Sequence, residues 1–295
     1  MLFCQSTKDR DSENLRERFH PRKRWGQHFL VDKRIAKRII ELHHPRKNEV
    51  HLEIGAGRGE LTKPLARWAG LVVAVEIDPA LIKTLEVELS PFPNIRLINR
   101  DILELKLDSL LPEGLMEEKI RVIGNLPFYL ATNILQYLIG WRGVVSDMTL
   151  MFQKEVAERL TASPNTKDYG YLTLLVNYYC QVVKGFDVSS GAFFPPPEVG
   201  ARVMQLSFRA QPPVELRDEA FFFALIRGVF IHRRKTILNN LLMSHLTSLS
   251  RKELEKGLAE IGLLGKRRPE SLSLSEFARL SNYLGNFSIN KGETI

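Results

Sequence analysis

The tetrapeptide N-L-P-F, residues 125–128, closes the run I-R-V-I-G-N-L-P-F-Y. Ile120, Val122 and Ile123 have the character of a buried strand, and Gly124 and Pro127 stop it. A parallel sheet binds ligands beyond the carboxyl ends of its strands, which is where this asparagine, proline and aromatic fall. A proline-stiffened turn holds the Asn125 side-chain carbonyl and a neighbouring main-chain carbonyl as two fixed acceptors. Such a pair suits the two hydrogens of an amino group on a nucleobase, with Phe128 as a stacking face. An adenine N6 amine is a poor nucleophile because its lone pair is delocalised into the ring. Acceptors that favour a more pyramidal nitrogen let it attack a methyl sulfonium in line.

Three further segments describe what would carry that methyl group. L-E-I-G-A-G-R-G-E-L-T, residues 52–62, turns from a strand through Gly55, Gly57 and Gly59 into a helix, so a ligand can approach the main chain closely. A dinucleotide fingerprint needs glycine at position 60, where this chain has Glu60, and a pyrophosphate site is therefore disfavoured. Glu76 ends the next strand, 21 residues after Gly55, where a carboxylate accepts from ribose hydroxyls. Asp101, in N-R-D-I-L, ends the third strand and can accept from an adenine amine. In this order, on successive strands, the residues describe an adenosine-bearing cofactor without phosphates, for which S-adenosyl-L-methionine is the natural candidate.

The elements that must position these groups alternate. Strands are predicted over 50–54, 71–77, 95–99, 120–124 and 147–152, and helices over Glu60–Trp68, Pro79–Leu89 and Thr132–Ile139. This alternation implies an α/β fold with a parallel sheet covered on both faces. A longer helix is expected around Tyr171–Val183. After it, K-G-F-D-V and A-R-V-M-Q-L-S-F, joined by G-A-F-F-P-P-P-E-V, read as an antiparallel hairpin closing the sheet's edge. Beyond Q-P-P at 211–213 the pattern is helical. The expected organisation is a flexible basic arm over 1–20, a Rossmann-like domain over 21–210 and a smaller helical C-terminal domain over 211–295.

The chain has 295 residues, a net charge of +8 and a pI near 9.5. Residues 1–40 carry 11 Lys/Arg against 5 Asp/Glu and residues 211–295 carry 13 against 9, so the basicity sits at the ends. That distribution suits an enzyme that grips a phosphate backbone at its edges. The candidate grips are Arg22, Lys23 and Arg24, then Arg233-Arg234-Lys235 and Lys266-Arg267-Arg268. Cys4 and Cys180 are too few and too far apart for a disulfide framework or a zinc site, so a reducing cytoplasm and no metal are expected. With no secretory leader and no apolar stretch near 18 residues, a protein without a membrane partner is expected.

Taken together, these segments resemble the rRNA adenine N6,N6-dimethyltransferases of the KsgA type. The resemblance runs from residue 22 to about 285 through R-K-R-W-G-Q-H-F-L, L-E-I-G-A-G-R-G, V-E-I-D, Asp101, G-N-L-P-F, A-F-F-P-P-P-E-V, H-R-R-K-T and R-P-E-S-L-S-L-S-E-F. It implies a class I S-adenosylmethionine-dependent methyltransferase domain with an rRNA-binding C-terminal domain. The implied substrate is two adjacent adenosines in a hairpin near the 3′ end of small-subunit rRNA, each methylated twice on a pre-30S particle by a monomeric enzyme. By the same resemblance His28, Leu30, Gly55, Glu76, Asp101 and Asn125 contact the cofactor, Asn125, Leu126 and Phe128 hold the base, and Phe193 stacks on its other face. This chain departs from the common pattern at His28, where many relatives carry asparagine, at Phe128, where tyrosine is common, and at Gly200-Ala201 in place of the usual Asp-Ser. His28 reads as a hydrogen-bonding residue, since the amine can lose its proton to solvent after attack. The alternatives are a large-subunit adenosine methyltransferase of the macrolide-resistance type and a non-catalytic ribosome-assembly factor. The C-terminal R-P-E-S-L-S-L-S-E-F speaks against the first, and the intact set of acidic strand ends against the second.

Overall fold

The computed structural model describes residues 27–111 and 119–287. The expectations for the basic arm and for Arg22, Lys23, Arg24 and Trp25 lie outside the described residues. Strands β2 (Val50–Ile54), β3 (Leu71–Glu76), β4 (Ile95–Asn99), β5 (Ile120–Asn125), β6 (Val145–Gln153), β7 (Cys180–Val188) and β9 (Ala201–Phe208) form one sheet in the order β4-β3-β2-β5-β6-β9-β7. The first five are parallel, and β9 runs antiparallel between β6 and β7. Two short strands, β1 (Phe29–Leu30) and β8 (Phe193–Phe194), make a separate antiparallel ribbon.

The central strands are buried on both faces, with Val50, Leu52 and Ile54 of β2 on one and His51 and Glu53 on the other. Ile120, Val122 and Ile123 of β5 are buried too. Their register sets Ile54 beside Val75 and Gly124, so Gly55, Glu76 and Asn125 emerge together at the carboxyl edge. Gly124 permits that pairing, since a side chain there would put its Cβ 2.7 Å from the Ile54 carbonyl oxygen.

Helices α1 (Lys33–His43), α2 (Thr62–Ala66), α3 (Pro79–Glu88), α4 (Ala131–Gly140), α5 (Lys154–Leu160) and α6 (Tyr171–Tyr179) accompany the sheet. Their starts are written locally. Asp32 caps α1 by accepting from the Arg34 N–H, and Asp78 caps α3 by accepting from Ala80, with Pro79 in the first turn. Four more helices follow, α7 (Glu219–Phe230), α8 (Ile237–Ser244), α9 (Arg251–Glu260) and α10 (Leu274–Leu284), and α9 and α10 each open on a Ser-x-x-Glu capping box. Phe222, Leu225 and Ile226 of α7 belong to the same apolar cluster as Leu174 and Tyr178 of α6 and Leu206 of β9, so the core continues from the sheet into the C-terminal helices.

Two expectations are corrected. The helix expected to reach Val183 ends at Tyr179, because Cys180–Val188 pairs with β9 over its whole length. That pairing absorbs a register irregularity at Gly185, where a Cβ would lie 2.3 Å from the Val203 carbonyl oxygen. The antiparallel pair also does not simply append to the sheet, since its second strand inserts beside β6 and leaves the first as the edge.

Candidate active site

A pocket opens at the carboxyl edge, walled by the glycine loop at 55–58, Glu76, Asp101 and the 125–128 turn, with Gln27 to Leu30 across it. Gly57 holds a left-handed φ of 57°, which turns its N–H towards Glu76. Glu76 is 5% exposed; its Oε2 accepts from the Gly57 N–H at 2.8 Å and its Oε1 from the Asp78 N–H at 2.9 Å. Burial raises its carboxyl above the usual range, and the two backbone donors act the other way. The carboxylate is thus aimed by the main chain, with a lone pair left on each oxygen for a diol. Asp101 caps the short turn Ile102–Glu104 by accepting from the Leu103 N–H at 3.0 Å through Oδ1.

Asn125 is fixed in the same manner. Its Nδ2 donates to the His28 carbonyl at 2.9 Å, which leaves Oδ1 as its acceptor, and its own carbonyl oxygen lies beside Gly55. Leu126 is buried beneath the pocket. Phe128 is half-buried and stacks on the His28 ring, centroids 5.6 Å apart and planes at 26°. The other side of that imidazole is committed too, since its Nδ1–H donates to the Pro195 carbonyl at 2.8 Å. His28 therefore ties the N-terminal segment, the 125–128 turn and the P-P-P loop together. Leu30 lines the pocket from the same ribbon.

Phe193 is not brought into the pocket wall. It is 3% exposed and packs with Leu30, Ile123 and Met151, whereas its neighbour Phe194 is half-buried. The ribbon pairs Phe193 with Leu30, and strand alternation turns consecutive residues to opposite sides, which sends the first phenylalanine inward.

Sequence reasoning passed over Glu53. It lines the pocket at 1% exposure, its Oε2 has no hydrogen-bond partner, and burial pushes its carboxyl up to about 8. The available signal was a lone acidic residue inside the fully buried strand V-H-L-E-I. The C-terminal basic clusters also divide. Arg233 donates to the carbonyls of Lys167 at 2.7 Å and Tyr169 at 2.9 Å, and Arg267 is held by the Glu276 carboxylate, whose carboxyl its guanidinium lowers to about 2. Arg234, Lys235, Lys266 and Arg268 are exposed. The two loops meet through Ile237 N–H to Arg267 O at 2.7 Å and Leu238 N–H to Gly265 O at 3.2 Å, so these four cations sit on adjoining loops.

A five-strand parallel run extended by an antiparallel insertion, with a glycine loop, a ribose-type carboxylate and an adenine-type carboxylate on successive strands, defines an S-adenosylmethionine-dependent methyltransferase with a helical C-terminal part. The pocket residues fit that cofactor, since Glu76 keeps acceptor capacity for a diol and Glu60 stands where a pyrophosphate loop needs glycine. Residues 18–285 match the profile of the family described as ribosomal RNA adenine dimethylase, and the chain belongs to that family. It is 42% identical over 270 residues to the ribosomal RNA small subunit methyltransferase A of Geobacillus sp. (strain WCH70), covering 90% of this chain and 92% of that one. It is 39% identical over 269 residues to the protein of that name from Listeria monocytogenes, covering 90% and 91%. Among solved structures, the 23S rRNA methyltransferase ErmE superposes with a TM-score of 0.65 at 27% identity over 87% of this chain and 99% of that one. A dimethyladenosine transferase from Plasmodium falciparum shares the fold with a TM-score of 0.71 at 24% identity, over 86% and 96%.

Proposed function

We propose that this enzyme transfers two methyl groups to the N6 amine of each of two adjacent adenosines in a hairpin near the 3′ end of small-subunit rRNA, on the pre-30S particle in the cytoplasm. The observation that carries the chemistry is Asn125, whose Nδ2 donates to the His28 carbonyl and so fixes the amide with Oδ1 left to accept. The choice of subunit rests on relatives at 39–42% identity that carry the small-subunit name, against 27% for the large-subunit enzyme.

S-adenosylmethionine supplies an electrophilic methyl on a sulfonium. Glu76 and Asp101 hold its ribose and adenine, and His28, Leu30 and Gly55 border it. Asn125 Oδ1 and an adjacent main-chain carbonyl accept from the N6 hydrogens and aim the nitrogen lone pair. Phe128, already pinned face-on by His28, is the stacking surface for a base drawn out of its helix, an extrusion that costs a few kcal/mol. Leu126 sets the depth of the turn, and Phe193 supports the ribbon that carries His28 and Leu30. Residues 211–295 form the rRNA-binding part, with Arg234, Lys235, Lys266 and Arg268 on phosphates while Arg233 and Arg267 hold their own loops.

The test is to map N6,N6-dimethyladenosine in small-subunit rRNA from cells with and without the protein, and with the Asn125→Ala form. Two adjacent dimethylated adenosines that vanish in both deficient strains support the proposal. Modification confined to large-subunit rRNA overturns the choice of substrate.

A further inference from the structure

The glycine loop borders a second depression. Arg58 and Glu60 line both it and the pocket, so the two share a wall. The second is a groove of about 910 Å³ between α1 and the segment that follows the loop, edged by Lys33, Lys37, Lys63, Arg67 and Trp68. Trp68 follows α2 and is 61% exposed, while its neighbours Leu65, Ala66 and Ala69 fill the core. The groove therefore offers an exposed aromatic face beside cations.

The charges choose among ligands. Lys63 is paired with Glu88, and Lys37 faces Glu41 at 3.7 Å with both side chains largely exposed. Glu60 lies in the field of Arg58, Lys63 and Lys33, and neither Lys33 nor Arg67 makes a salt bridge among the described residues. The three carboxylates of the groove, Glu41, Glu60 and Glu88, are outnumbered by its five lysines and arginines, and the remaining charge is positive. A polyanion answers that charge, and a polyanion with flat faces answers the indole as well. A duplex hides the faces of its bases in the stack, whereas an unpaired strand presents them.

We infer that this groove is a binding site for single-stranded RNA, in which the strand adjoining the target adenosines stacks a base on Trp68 and sets its phosphates on Lys33 and Arg67. The inference rests on the reading of the chain as an rRNA methyltransferase. The shared wall at Arg58 and Glu60 places the groove where a strand leaving the methylation pocket would run. It gives the enzyme a grip beside its chemistry, separate from the C-terminal loops. Stacking on an aromatic tolerates any base, so the site adds affinity without reading sequence.

The experiment measures binding of Trp68→Ala, Trp68→Phe and the double variant Lys33→Ala/Arg67→Ala to undermethylated small-subunit particles and to protein-free small-subunit rRNA, at several salt concentrations. Cofactor affinity and the methylation rate at saturating particle are measured alongside. Trp68→Ala is expected to weaken both complexes by roughly 10-fold, and Trp68→Phe, which keeps a ring face, to restore most of that. The double variant is expected to flatten the log-affinity against log-salt slope by about 1.4, or about 0.7 for each single-strand phosphate contact. Cofactor affinity and saturated rate should stay at the parent level. Parent-like affinity of Trp68→Ala for rRNA overturns the inference. Weakening on particles alone also overturns it, since the groove then contacts a ribosomal protein. If the parent enzyme itself fails to methylate small-subunit rRNA, the underlying reading fails instead, which is a distinguishable result.

Discussion

Strands β2 and β5 carry polar residues at both ends, and the two ends treat them in opposite ways. At the amino edge, His43 Nδ1 meets Thr149 Oγ1 at 2.9 Å and His43 Nε2 meets His51 Nδ1 at 2.9 Å, with both imidazoles buried. Beside them Arg121 donates to both Asp147 oxygens, to Glu49 and to the carbonyls of His43 and His44, which uses all five of its N–H groups. His51 Nε2 faces Glu49 Oε2 at 3.5 Å without a hydrogen bond. Near the carboxyl edge the same two strands carry Glu53, whose Oε2 has no partner, and Asn125, whose Nδ2 is anchored on the His28 carbonyl while Oδ1 is left as an acceptor. Apart from His51 Nε2, the buried polar groups of the amino edge are closed on partners within the chain. A group that serves a ligand keeps capacity in hand, and the fold tolerates the cost of that group elsewhere.

The largest effect that would break this contrast is at Asn125. If its free acceptor acts on the reacting nitrogen, Asn125→Ala should lower the single-turnover methylation rate by about 10²- to 10³-fold with RNA and cofactor saturating, as losing one preorganised polar group does elsewhere. Cofactor affinity measured on the same protein separates this from a binding defect. A near-parent rate would mean that the carboxyl edge is as closed as the amino edge.

The mirror-image substitution is Arg121→Met. It strands Glu49, Asp147 and two carbonyls in a largely buried site, so the folded state should lose about 3 kcal/mol in denaturant unfolding. The folded fraction should bind S-adenosylmethionine as the parent does. Loss of cofactor affinity without loss of stability would reverse the roles assigned to the two edges.

The carboxyl edge was legible in the sequence and the amino edge was not, and the reason is locality. Gly55, Gly57, Glu76, Asp101 and Asn125 each stand at the end of a strand whose apolar run announces it, so their shared edge follows from parallel pairing. The strands themselves fell close to expectation, with β2 at 50–54 and β4 at 95–99 as read. His43, His51, Arg121 and Thr149 meet only after four segments pack, across as many as 106 residues, and each alone looks like an ordinary polar residue. The same holds for Arg233 and Arg267, which share tripeptides with exposed cations but turn inward to partners at Tyr169 and Glu276. The inward facing of Phe193 is also decided at long range, by pairing with Leu30 some 160 residues earlier in the chain. The insertion of β9 beside β6 likewise depends on which edge of the sheet is free.

A smaller effect sharpens the comparison at Glu76, which is intermediate between the two edges. Two backbone N–H groups orient its carboxylate, yet its oxygens retain lone pairs. Calorimetry on Glu76→Ala should show about 1.5–3 kcal/mol of cofactor affinity lost, the range for hydrogen bonds to a charged group. Unchanged affinity in a folded variant would make Glu76 a loop anchor only and would move it to the closed class.

The smallest effect is in the pH dependence of stability, where the two edges should pull in opposite directions. Burial holds the amino-edge imidazoles neutral: His51 is lowered from 6.5 to about 4, with the Arg121 charge adding, and His43 lies well below its ordinary value. An unfolded histidine takes up a proton below about pH 6.5 and these folded ones do not. Their contribution is therefore complete above that pH and is lost as the pH falls from 6.5 towards 4. Glu53 behaves the other way, because burial raises its carboxyl from 4.5 to about 8. Its contribution is complete below pH 4.5 and is lost as the pH rises towards 8. Each proton changes stability by about 1.4 kcal/mol per pH unit. Between pH 5 and 6 two imidazoles oppose one carboxyl, and from pH 7 to 8 the carboxyl acts without them. Glu53→Gln in cofactor-free protein should then roughly double the slope contributed by these groups below pH 6. It should also remove a decline of about 1 kcal/mol between pH 7 and 8, where the carboxyl goes from protonated to half ionised. Subtracting the parent curve cancels every other titrating group. If the two curves run parallel, Glu53 is ionised in the folded protein, and the unspent acceptor at the carboxyl edge is no different in kind from the saturated carboxylates at the amino edge.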